Sequence, residues 1–366
     1  LLLLLTVFIL STTLQCLFYI ILTTAWNKKK PTFEAGKTVN ESVSIIVAAR
    51  NEADNLSRLI PLLLAQNYAD YEIIIALDRC SDHSDEVVDT FTDSKLKKLD
   101  IKVLPEGISG KKHALSQAIR VARNELLVFT DADCQPASPN WLMFVNHAFD
   151  TSTEIAIGYS PYRKNPGFLN RLIRYETIIT ALQYFSFAAA NMPYMGVGRN
   201  MSYRKSFFIK KGGYGAFSGV TGGDDDLFIG YHATPDNLNS YYKEESSVFS
   251  EAETSWKSWF RQKQRHLSVA RYYPKKHRLI LGLLGSSQIM FWVTFVILAL
   301  LKTNPAIILS CLLVRYLCYY WFLVSGMHKI GDRFALWWTP LLDIVHTLFL
   351  LVMGPVGFFT KKVKWN

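Results

Sequence analysis

The sequence predicts an α/β fold, a layer sandwich on a mostly parallel sheet, with transmembrane helices at both ends of the chain. Four short apolar runs alternate with helical segments between residues 43 and 129, which is typical of a parallel sheet covered by helices. One long apolar stretch precedes this region and three follow it. The 366 residues are 50% hydrophobic and still 19% charged. We therefore expect one large water-exposed domain beside membrane segments.

The first apolar stretch, residues 1–26, is long enough to span a bilayer. No basic segment precedes it and no small-residue cleavage site follows it, so we expect an anchor rather than a signal peptide. Lysines follow at positions 28–30. Because positive residues favour the cytoplasmic side of a membrane, they predict a cytosolic domain over residues 27–278.

The four apolar runs of this domain each end at polar side chains. We place strands at residues 43–48, 71–77, 101–104 and 126–129. Ligands of open α/β sheets bind beyond the carboxyl ends of the strands. The residues that follow each run are therefore candidates for a binding site.

Two aspartates, Asp131 and Asp133, directly follow the fourth run. Paired carboxylates at this edge of a sheet can hold a hard divalent cation, and the cation can hold a diphosphate. An acidic pair can also simply begin a turn or cap a helix. Whether the pair binds a cation or only begins a turn therefore has to be decided from the other motifs of the chain.

Three apolar segments close the chain, at about residues 279–301, 305–327 and 334–360. We assign residues 279–366 to a membrane region of two or three segments. A third full span would place the lysines after it on the outer side, against the positive-inside rule. A re-entrant or interfacial segment broken at Gly354-Pro355 is the alternative.

Composition limits the class of partner. The net charge of +10 fits anionic headgroups or phosphorylated substrates. Nucleic acid is the rival partner of a basic protein, but no helix-turn-helix, zinc-finger or single-strand-binding signature is present. The five cysteines lack metal-ligand spacing, which favours a reduced compartment over a disulfide framework. We expect a membrane partner and no nucleic acid.

Five motifs stand at the predicted strand ends and helix starts. The fifth is split between an acidic run and an aromatic, basic segment at residues 255–273, whose composition suits an interfacial helix. The motifs are Ala48-Ala-Arg-Asn-Glu52, Leu77-Asp-Arg-Cys-Ser-Asp82, Gly110-Lys-Lys112, Asp131-Ala-Asp133, and Gly223-Asp-Asp-Asp226 with Gln262-Lys-Gln-Arg-His266.

In this order the motifs resemble those of the membrane-bound, inverting family 2 glycosyltransferases, the group of ceramide glucosyltransferase and the cellulose and hyaluronan synthases. The resemblance covers residues 42–273 and implies a GT-A type nucleotide-sugar-binding fold. It also implies a metal-dependent transferase that moves a sugar from a nucleotide-sugar, with UDP as the expected nucleotide. The expected acceptor is a lipid, a lipid-linked molecule or a glycan at the membrane.

The resemblance assigns the nucleotide side to the first three motifs. Ala48, Arg50 and Glu52 would cradle the nucleoside, and Asp78 would accept hydrogen bonds from the base. Lys111, at a helix start, would face the phosphates. A helix cap in the second motif and a solvated lysine in the third are the alternatives.

The metal and the catalytic base come from the acidic motifs. Asp131 would lie near the nucleotide, and Asp133, with Asp131, would ligate Mn²⁺ or Mg²⁺ on the diphosphate. Aligning Phe228 with the family's leucine makes Asp225 the base that takes the acceptor's proton. A shift of one residue would make Asp224 the base instead.

The interfacial segment would complete the donor site. Arg265 would face the diphosphate, with Gln262 and His266 beside it, although many family members have tryptophan in place of this histidine. A basic residue on an interfacial helix can also simply meet lipid headgroups. Asn200 and Arg204 are further candidate contacts on the acceptor side.

The resemblance implies a single displacement that inverts the anomeric carbon, in a multi-pass protein of the plasma or inner membrane. A processive polysaccharide synthase is an alternative that His266 and the few terminal spans disfavour. A nucleotidyltransferase would not explain the acidic run followed by Gln-x-x-Arg. A catalytically inactive membrane scaffold is disfavoured by four retained candidate residues, Asp78, Asp133, Asp225 and Arg265.

Overall fold

The computed structural model describes residues 1–29 and 41–360. The strands are β1 (Val43–Ala49), β2 (Tyr71–Asp78), β3 (Leu96–Ile101), β4 (Leu126–Asp131), β5 (Cys134–Pro136), β6 (Ile155–Gly158), β7 (Met201–Arg204), β8 (Leu238–Tyr241) and β9 (Val248–Ser250). The α-helices are α1 (Leu2–Lys28), α2 (Ala53–Leu64), α3 (Ser84–Asp89), α4 (Gly110–Val121), α5 (Trp141–His147), α6 (Phe168–Ala189), α7 (Lys205–Lys210), α8 (Asp226–His232), α9 (Trp256–Val269), α10 (Lys275–Leu300), α11 (Pro305–Ile330) and α12 (Thr339–Phe359).

A seven-stranded, mostly parallel sheet in the order β3-β2-β1-β4-β7-β6-β8 confirms the predicted fold class. Every residue of β1 and β2 is buried, as expected for parallel strands covered by helices on both faces. β1 pairs in parallel with β2 on one side and with β4 on the other. The order of the strands therefore reverses at β1, and a crevice forms at the carboxyl ends of β1 and β4.

The third strand lies earlier than predicted, at Leu96–Ile101 instead of residues 101–104. β3 is at the edge of the sheet and pairs with β2 from Leu96 to Ile101. Most of its side chains are exposed or only partly buried. An edge strand of this kind has no continuous apolar run, so hydrophobicity located only its last residue.

Helix α6 connects the sheet to the apolar helices. It contains most of the aromatic and alanine-rich stretch at residues 178–192, and most of that stretch is buried. Phe185 stacks on Trp26 of α1 with ring centroids 5.5 Å apart. A Cβ at Gly326 of α11 would lie 2.5 Å from Leu182. Helix α6 thus packs into the core, and one edge of it also faces the cavity described below.

Among the described residues, four helical segments are long and apolar enough to cross a membrane, namely α1, α10, α11 and the segment Leu336–Gly357 that contains most of α12. Gly354 and Pro355 lie inside α12, so the helix continues through the break predicted from sequence. Lys30 and the lysines after residue 360, which bear on orientation, lie outside the described residues.

A buried ion pair joins the four apolar helices. Arg315 of α11 donates two hydrogen bonds to Asp343 of α12, at 2.7 and 3.1 Å, and a third to Gln15 of α1 at 2.8 Å. Gln288 and Trp292 of α10 each donate to Asp343 at 3.1 Å. We call these five residues the bundle network. Each of these side chains is hydrogen-bonded to at least one other side chain of the network.

Helix α9, the predicted interfacial helix, packs along α12. The rings of Trp259 and Phe349 lie 4.7 Å apart. Gly357 lets the two helices approach closely, because a Cβ there would lie 2.4 Å from Cβ of Leu267. Gln264 donates to the hydroxyl of Thr360 at 3.0 Å. The orientation of α9 thus depends on α12.

Candidate active site

The carboxyl end of β4 carries the two aspartates. The register of β1 and β4 pairs Asp131 with Ala48, at the crevice where the strand order reverses. Burial alone would raise the pKa of the Asp131 carboxyl, but Lys111 next to it lowers that pKa. Burial, and then the charge of Asp131, raise the pKa of Asp133. Asp133 opens into the crevice, although protein encloses it on most sides.

Lys111 joins two acidic motifs that are far apart in sequence. It lies in the first turn of α4, and its Nζ is 2.8 Å from Oδ1 of Asp131 and 3.2 Å from Oδ2 of Asp224. Burial opposes its charge, yet Asp131 and Asp224 hold the pKa of Lys111 well above its usual range. Lys111 is therefore a fixed positive charge at the centre of the site.

Residues at this crevice fit a divalent cation. Ligand atoms of Asp131, Asp133 and Cys134 lie within 4.8 Å of one another. Burial, and then the charge of Asp133, raise the pKa of the Cys134 thiol well above its usual range, so this sulfur is a poor ligand. Ser250 donates to Oδ2 of Asp133 at 3.3 Å. The two carboxylates are the oxygen ligands that a hard ion such as Mn²⁺ or Mg²⁺ prefers.

The acidic run at the start of α8 is held by backbone groups. Asp225 is the N-cap of α8 and accepts from the N–H of Asp226 at 2.8 Å. Its other oxygen accepts from the N–H of Gly198, also at 2.8 Å. Burial, and then the charge of Asp224, raise the pKa of Asp225. A rigidly oriented carboxylate with a raised pKa suits a general base.

Asp226 faces a different environment from Asp225. It accepts a hydrogen bond from the hydroxyl of Tyr273 at 2.6 Å, while its Oδ1 is buried without a partner among the described residues. Burial, and then the charge of Asp225, raise its pKa well above the usual range. Asp226 is therefore suited to the protonated form.

The second lysine of the third motif is structural. Lys112 is buried and donates to the backbone carbonyls of Phe217, Val220 and Gly222, at 2.8, 2.7 and 2.6 Å. Burial lowers its pKa to about 8. Lys112 thus holds the loop that leads into the acidic run, while its neighbour Lys111 contacts the acids.

Helix α9 brings Gln262, Arg265 and His266 to the same cavity. In the part of the chain that the structure covers, no hydrogen bond or ion pair engages the Arg265 guanidinium. Desolvation, and then the charges of Lys263 and Arg265, lower the pKa of His266 well below its usual range. Lys263 forms an ion pair with Glu176 of α6. The free guanidinium is suited to an anion that is not part of the protein.

These groups line one cavity of about 510 Å³. It reaches from Asp131 and Asp133 past the acidic run to helices of the apolar bundle. The lining there is mostly apolar, and its residues on α10 and α12 are Leu281, Leu284, Gly285, Gln288, His346, Phe349 and Leu350. A polar end and an apolar end thus share one space.

Four predicted nucleoside residues lie outside the lining of this cavity, at the ends of β1 and β2 and the start of α2. They are Ala48, Arg50, Glu52 and Asp78. Asp78 is buried, and both of its oxygens accept from Arg79, at 2.8 and 2.9 Å. Burial raises the pKa of Glu52, which accepts a hydrogen bond from Asn55. Asp82 accepts from the N–H of Ser84, the first residue of α3, at 3.1 Å, but the N-cap of that helix is His83, whose side chain makes no capping bond, so the alternative helix cap is wrong.

The acceptor-side candidates are structural, and their neighbour Arg199 reaches the cavity although its guanidinium also donates to Ser160 and Tyr162. Asn200 makes four hydrogen bonds inside the protein, and Arg204 pairs with Glu41. Arg199 lines the cavity instead, with its Nε 2.7 Å from the hydroxyl of Ser160. Its place next to Asn200 in sequence was the available signal. Glu176 was also missed, and no local pattern marks it.

Comparisons with known proteins find glycosyltransferase matches over part of the chain and a similar fold over most of it. Residues 44–210 match Glycosyl transferase family 2. The chain is 30% identical over 115 residues to an uncharacterised glycosyltransferase, alr2836, of Nostoc sp.. It is 30% identical over 93 residues to the UDP-Glc:alpha-D-GlcNAc-diphosphoundecaprenol beta-1,3-glucosyltransferase WfaP of Escherichia coli. These matches cover 31% and 25% of the chain, and 35% and 36% of the two relatives, so the chain spans about a third of their length.

A mannosyltransferase of known structure is similar to this chain over most of its length. The mannosyltransferase PcManGT from Pyrobaculum calidifontis, in complex with GDP-Man and Mn²⁺, has a TM-score of 0.61 and 17% identity. The similarity covers 89% of this chain and 98% of that one. At this identity the likeness shows the fold alone.

Proposed function

Because this chain carries a Glycosyl transferase family 2 domain of GT-A fold, we propose that it is an inverting glycosyltransferase. In this proposal it moves one sugar from a nucleotide-sugar to a lipid or lipid-linked acceptor at the membrane. The observation that carries the proposal is the ion-paired position of Lys111 between Asp131 and Asp224. It brings the predicted metal site and the predicted base into one cavity.

The donor lies with its diphosphate at the polar end of the cavity. Asp131 and Asp133 would hold Mn²⁺ or Mg²⁺, which would neutralise charge on the diphosphate. Lys111 and Arg265 supply further positive charge there. The nucleoside, with UDP as the proposed nucleotide, extends toward Asp78 and the residues that follow β1.

Asp225 is the proposed base. Its carboxylate takes the proton of the acceptor hydroxyl, and the oxygen forms a bond to the anomeric carbon from the face opposite the diphosphate. The bond between that carbon and the diphosphate oxygen breaks, and the diphosphate leaves with the electron pair. One displacement inverts the carbon. Arg265 stabilises the charge that grows on the leaving group.

Asp224 serves this reaction through Lys111. Its carboxylate is 3.2 Å from Lys111 Nζ, so in this proposal it positions the lysine and is not the base. The helix geometry supports this division, because Asp225 and not Asp224 is the N-cap of α8. Gln262 and His266 complete the wall around the sugar, where the neutral imidazole can accept or donate a hydrogen bond.

The apolar helices around the cavity are the reason why we propose a lipid or lipid-linked acceptor. The cavity continues between helices that are long and apolar enough to cross a bilayer, which suits an acceptor that stays in the lipid phase. Escherichia coli WfaP, by its name, uses a lipid-linked acceptor. We also propose the division into an anchor (residues 1–26), a cytosolic domain (27–278) and a membrane region (279–366).

The test is sugar transfer by the purified protein in detergent. The protein is given UDP- and GDP-sugars with Mn²⁺ or Mg²⁺, with and without membrane lipid extract. We expect lipid-stimulated nucleotide release from one donor and a lipid product that carries one sugar. Release without a lipid product would contradict the acceptor class, and a long polymer would indicate a polysaccharide synthase. Absence of both release and metal-dependent nucleotide binding would indicate a scaffold.

Two isosteric variants separate the acidic residues. Asp225→Asn should keep donor affinity and lower turnover by a factor of about 10²–10⁴, the range for loss of a general base. Asp224→Asn should weaken donor binding as well, since Lys111 loses a partner. Normal transfer by Asp225→Asn together with inactive Asp224→Asn would move the base to Asp224.

A further inference from the structure

We infer that the acceptor is a membrane lipid whose reacting hydroxyl belongs to an uncharged headgroup, and that its tail lies in the apolar end of the cavity between α10 and α12. This inference rests on the proposed function and narrows its acceptor class. Two separate observations support it, namely the charge balance of the cavity and the open space at one glycine.

The carboxylates of the cavity lining outnumber its cations, so the lining does not favour a second anionic substrate. Its described residues include six carboxylates and four cations. The carboxylates are Asp131, Asp133, Glu176, Asp224, Asp225 and Asp226, and the cations are Lys111, Arg199, Lys263 and Arg265. If Asp226 is protonated, the lining still carries one net negative charge. A divalent cation and the donor diphosphate then roughly cancel each other.

One cation of the lining, on α9, is already paired inside the protein. Lys263 lies on α9, where its Nζ contacts the carboxylate of Glu176 on α6, and both side chains are largely buried. A phosphate bound there would have to displace Glu176 and leave its carboxylate unpaired, which is costly inside a protein. An uncharged headgroup needs no such exchange.

Polar groups on the membrane helices offer hydrogen bonds to hydroxyls. Gln288 of α10 lines the cavity, and its amide nitrogen donates to Asp343 and Thr347. This leaves its carbonyl oxygen as an acceptor. His346 of α12 also lines the cavity, and its Nδ1 is buried without a partner among the described residues. A hydroxylated headgroup would satisfy such groups, whereas an apolar tail would not.

The apolar end has room for a tail. Leu281 and Leu284 of α10 face the cavity together with Phe349 and Leu350 of α12. Gly285 lies among them, and a Cβ built there meets no atom within 4 Å. Because this space is continuous with the site of Asp225, a lipid can place its hydroxyl at the base while its tail stays between the helices.

The headgroup is tested with lipid fractions. Membrane lipid extract is separated by anion exchange into neutral and acidic fractions, and each is added to the protein with radiolabelled nucleotide-sugar. Label in a lipid of the neutral fraction is expected. Label in the acidic fraction alone, for example on a polyprenyl diphosphate, would overturn the headgroup assignment. Label in neither fraction would overturn the lipid acceptor, and with it the proposed function.

The tail groove is tested with a graded series at one position. Gly285→Ala, Gly285→Leu and Gly285→Phe should lower kcat/KM for the lipid progressively, to about a tenth for phenylalanine, because the substrate is displaced from the base. Donor affinity should stay unchanged, which also reports that the variants are folded. The matched control is Gly282→Phe, one turn earlier on α10, where a Cβ is also unobstructed but the residue lies outside the cavity lining. Wild-type transfer by Gly285→Phe, or an equal loss in Gly282→Phe, would overturn the groove.

Discussion

The bundle network and the charged lining of the cavity differ in how completely their groups are paired. In the bundle network, Arg315 has three hydrogen bonds to Asp343 and Gln15, and Gln288 and Trp292 also donate to Asp343. In the cavity, Arg265 has no such partner among the described residues. The charged groups of the first cluster are paired with each other inside the protein, and the guanidinium of Arg265 in the second is not.

The difference separates structural charge from functional charge. Arg315 and Arg265 are the same residue type, and sequence alone does not rank them. A buried charge whose partners are all protein groups holds helices together. A charge left open in a cavity needs a ligand to complete it, as Arg265 needs the donor diphosphate in our proposal. Variants of the two clusters should therefore fail in different ways.

The largest effect is expected in the bundle network. Arg315→Met leaves the Asp343 carboxylate buried without its counter-ion, which should destabilise the protein by about 3–5 kcal/mol. Thermal unfolding in detergent measures this. The double variant Arg315→Met, Asp343→Leu removes both charges and should recover much of the loss. If the double variant were as unstable as the single one, the pair would not be the source of stability.

The next effect belongs to the cavity. Arg265→Gln should lower turnover on the order of a hundredfold, because stabilisation of the leaving diphosphate is lost. Its unfolding temperature should not change, since no protein partner is lost. Arg261→Gln is the matched control, because Arg261 is exposed on the same helix and lies outside the cavity lining. A lower unfolding temperature for Arg265→Gln would place Arg265 with the structural charges.

The dependence of turnover on pH should reflect the ionisation of Asp225 in the cavity and not the bundle network. A base acts only when ionised, and the pKa of Asp225 is raised by burial and then by Asp224. Turnover should therefore fall tenfold for each pH unit below that pKa, at a pH above the ordinary aspartate value of about 3.9. The measurement is kcat against pH at saturating donor. A profile that stays flat down to pH 4 would contradict the assignment of Asp225.

The smallest effect is expected for Gln15, which bonds Arg315 in the bundle network. Gln15→Leu removes the acceptor of one Arg315 N–H and the donor to the carbonyl of Ser287. Loss of these bonds should cost about 1–2 kcal/mol. Thr13→Val is the control, because the hydroxyl of Thr13 is exposed and bonds only within its own helix. Equal unfolding temperatures for Gln15→Leu and the wild type would show that Arg315 needs only Asp343.

The parts of the site that follow local patterns were predictable from sequence. Asp131, Asp133 and Asp225 each stand at the end of a strand or the start of a helix, where hydrophobic periodicity marks the boundary. The parallel sheet followed from buried runs such as β1 and β2. Strand β3 was misplaced because it lies at the edge of the sheet, where most of its residues are partly buried or exposed and form no continuous apolar run.

Long-range pairing was not predictable in the same way. Glu176 meets Lys263 across two helices that are far apart in sequence, and no periodicity marks such a contact. The roles of Lys111 and Lys112 also required the structure. The two residues are neighbours in one helix turn, yet one contacts the acids and the other binds loop carbonyls. Their directions depend on the fold around α4.

The packing of α9 on α12 has a consequence for the order of synthesis. Ribosomes make α9, with Gln262 and Arg265, well before they make Phe349 and Gly357, which hold it in place. A nascent chain that already contains every motif of the site therefore lacks the surface that orients Arg265. In the function proposed above, transfer requires α12 to pack against α9, so the packing of the last described helix is the step that completes the site.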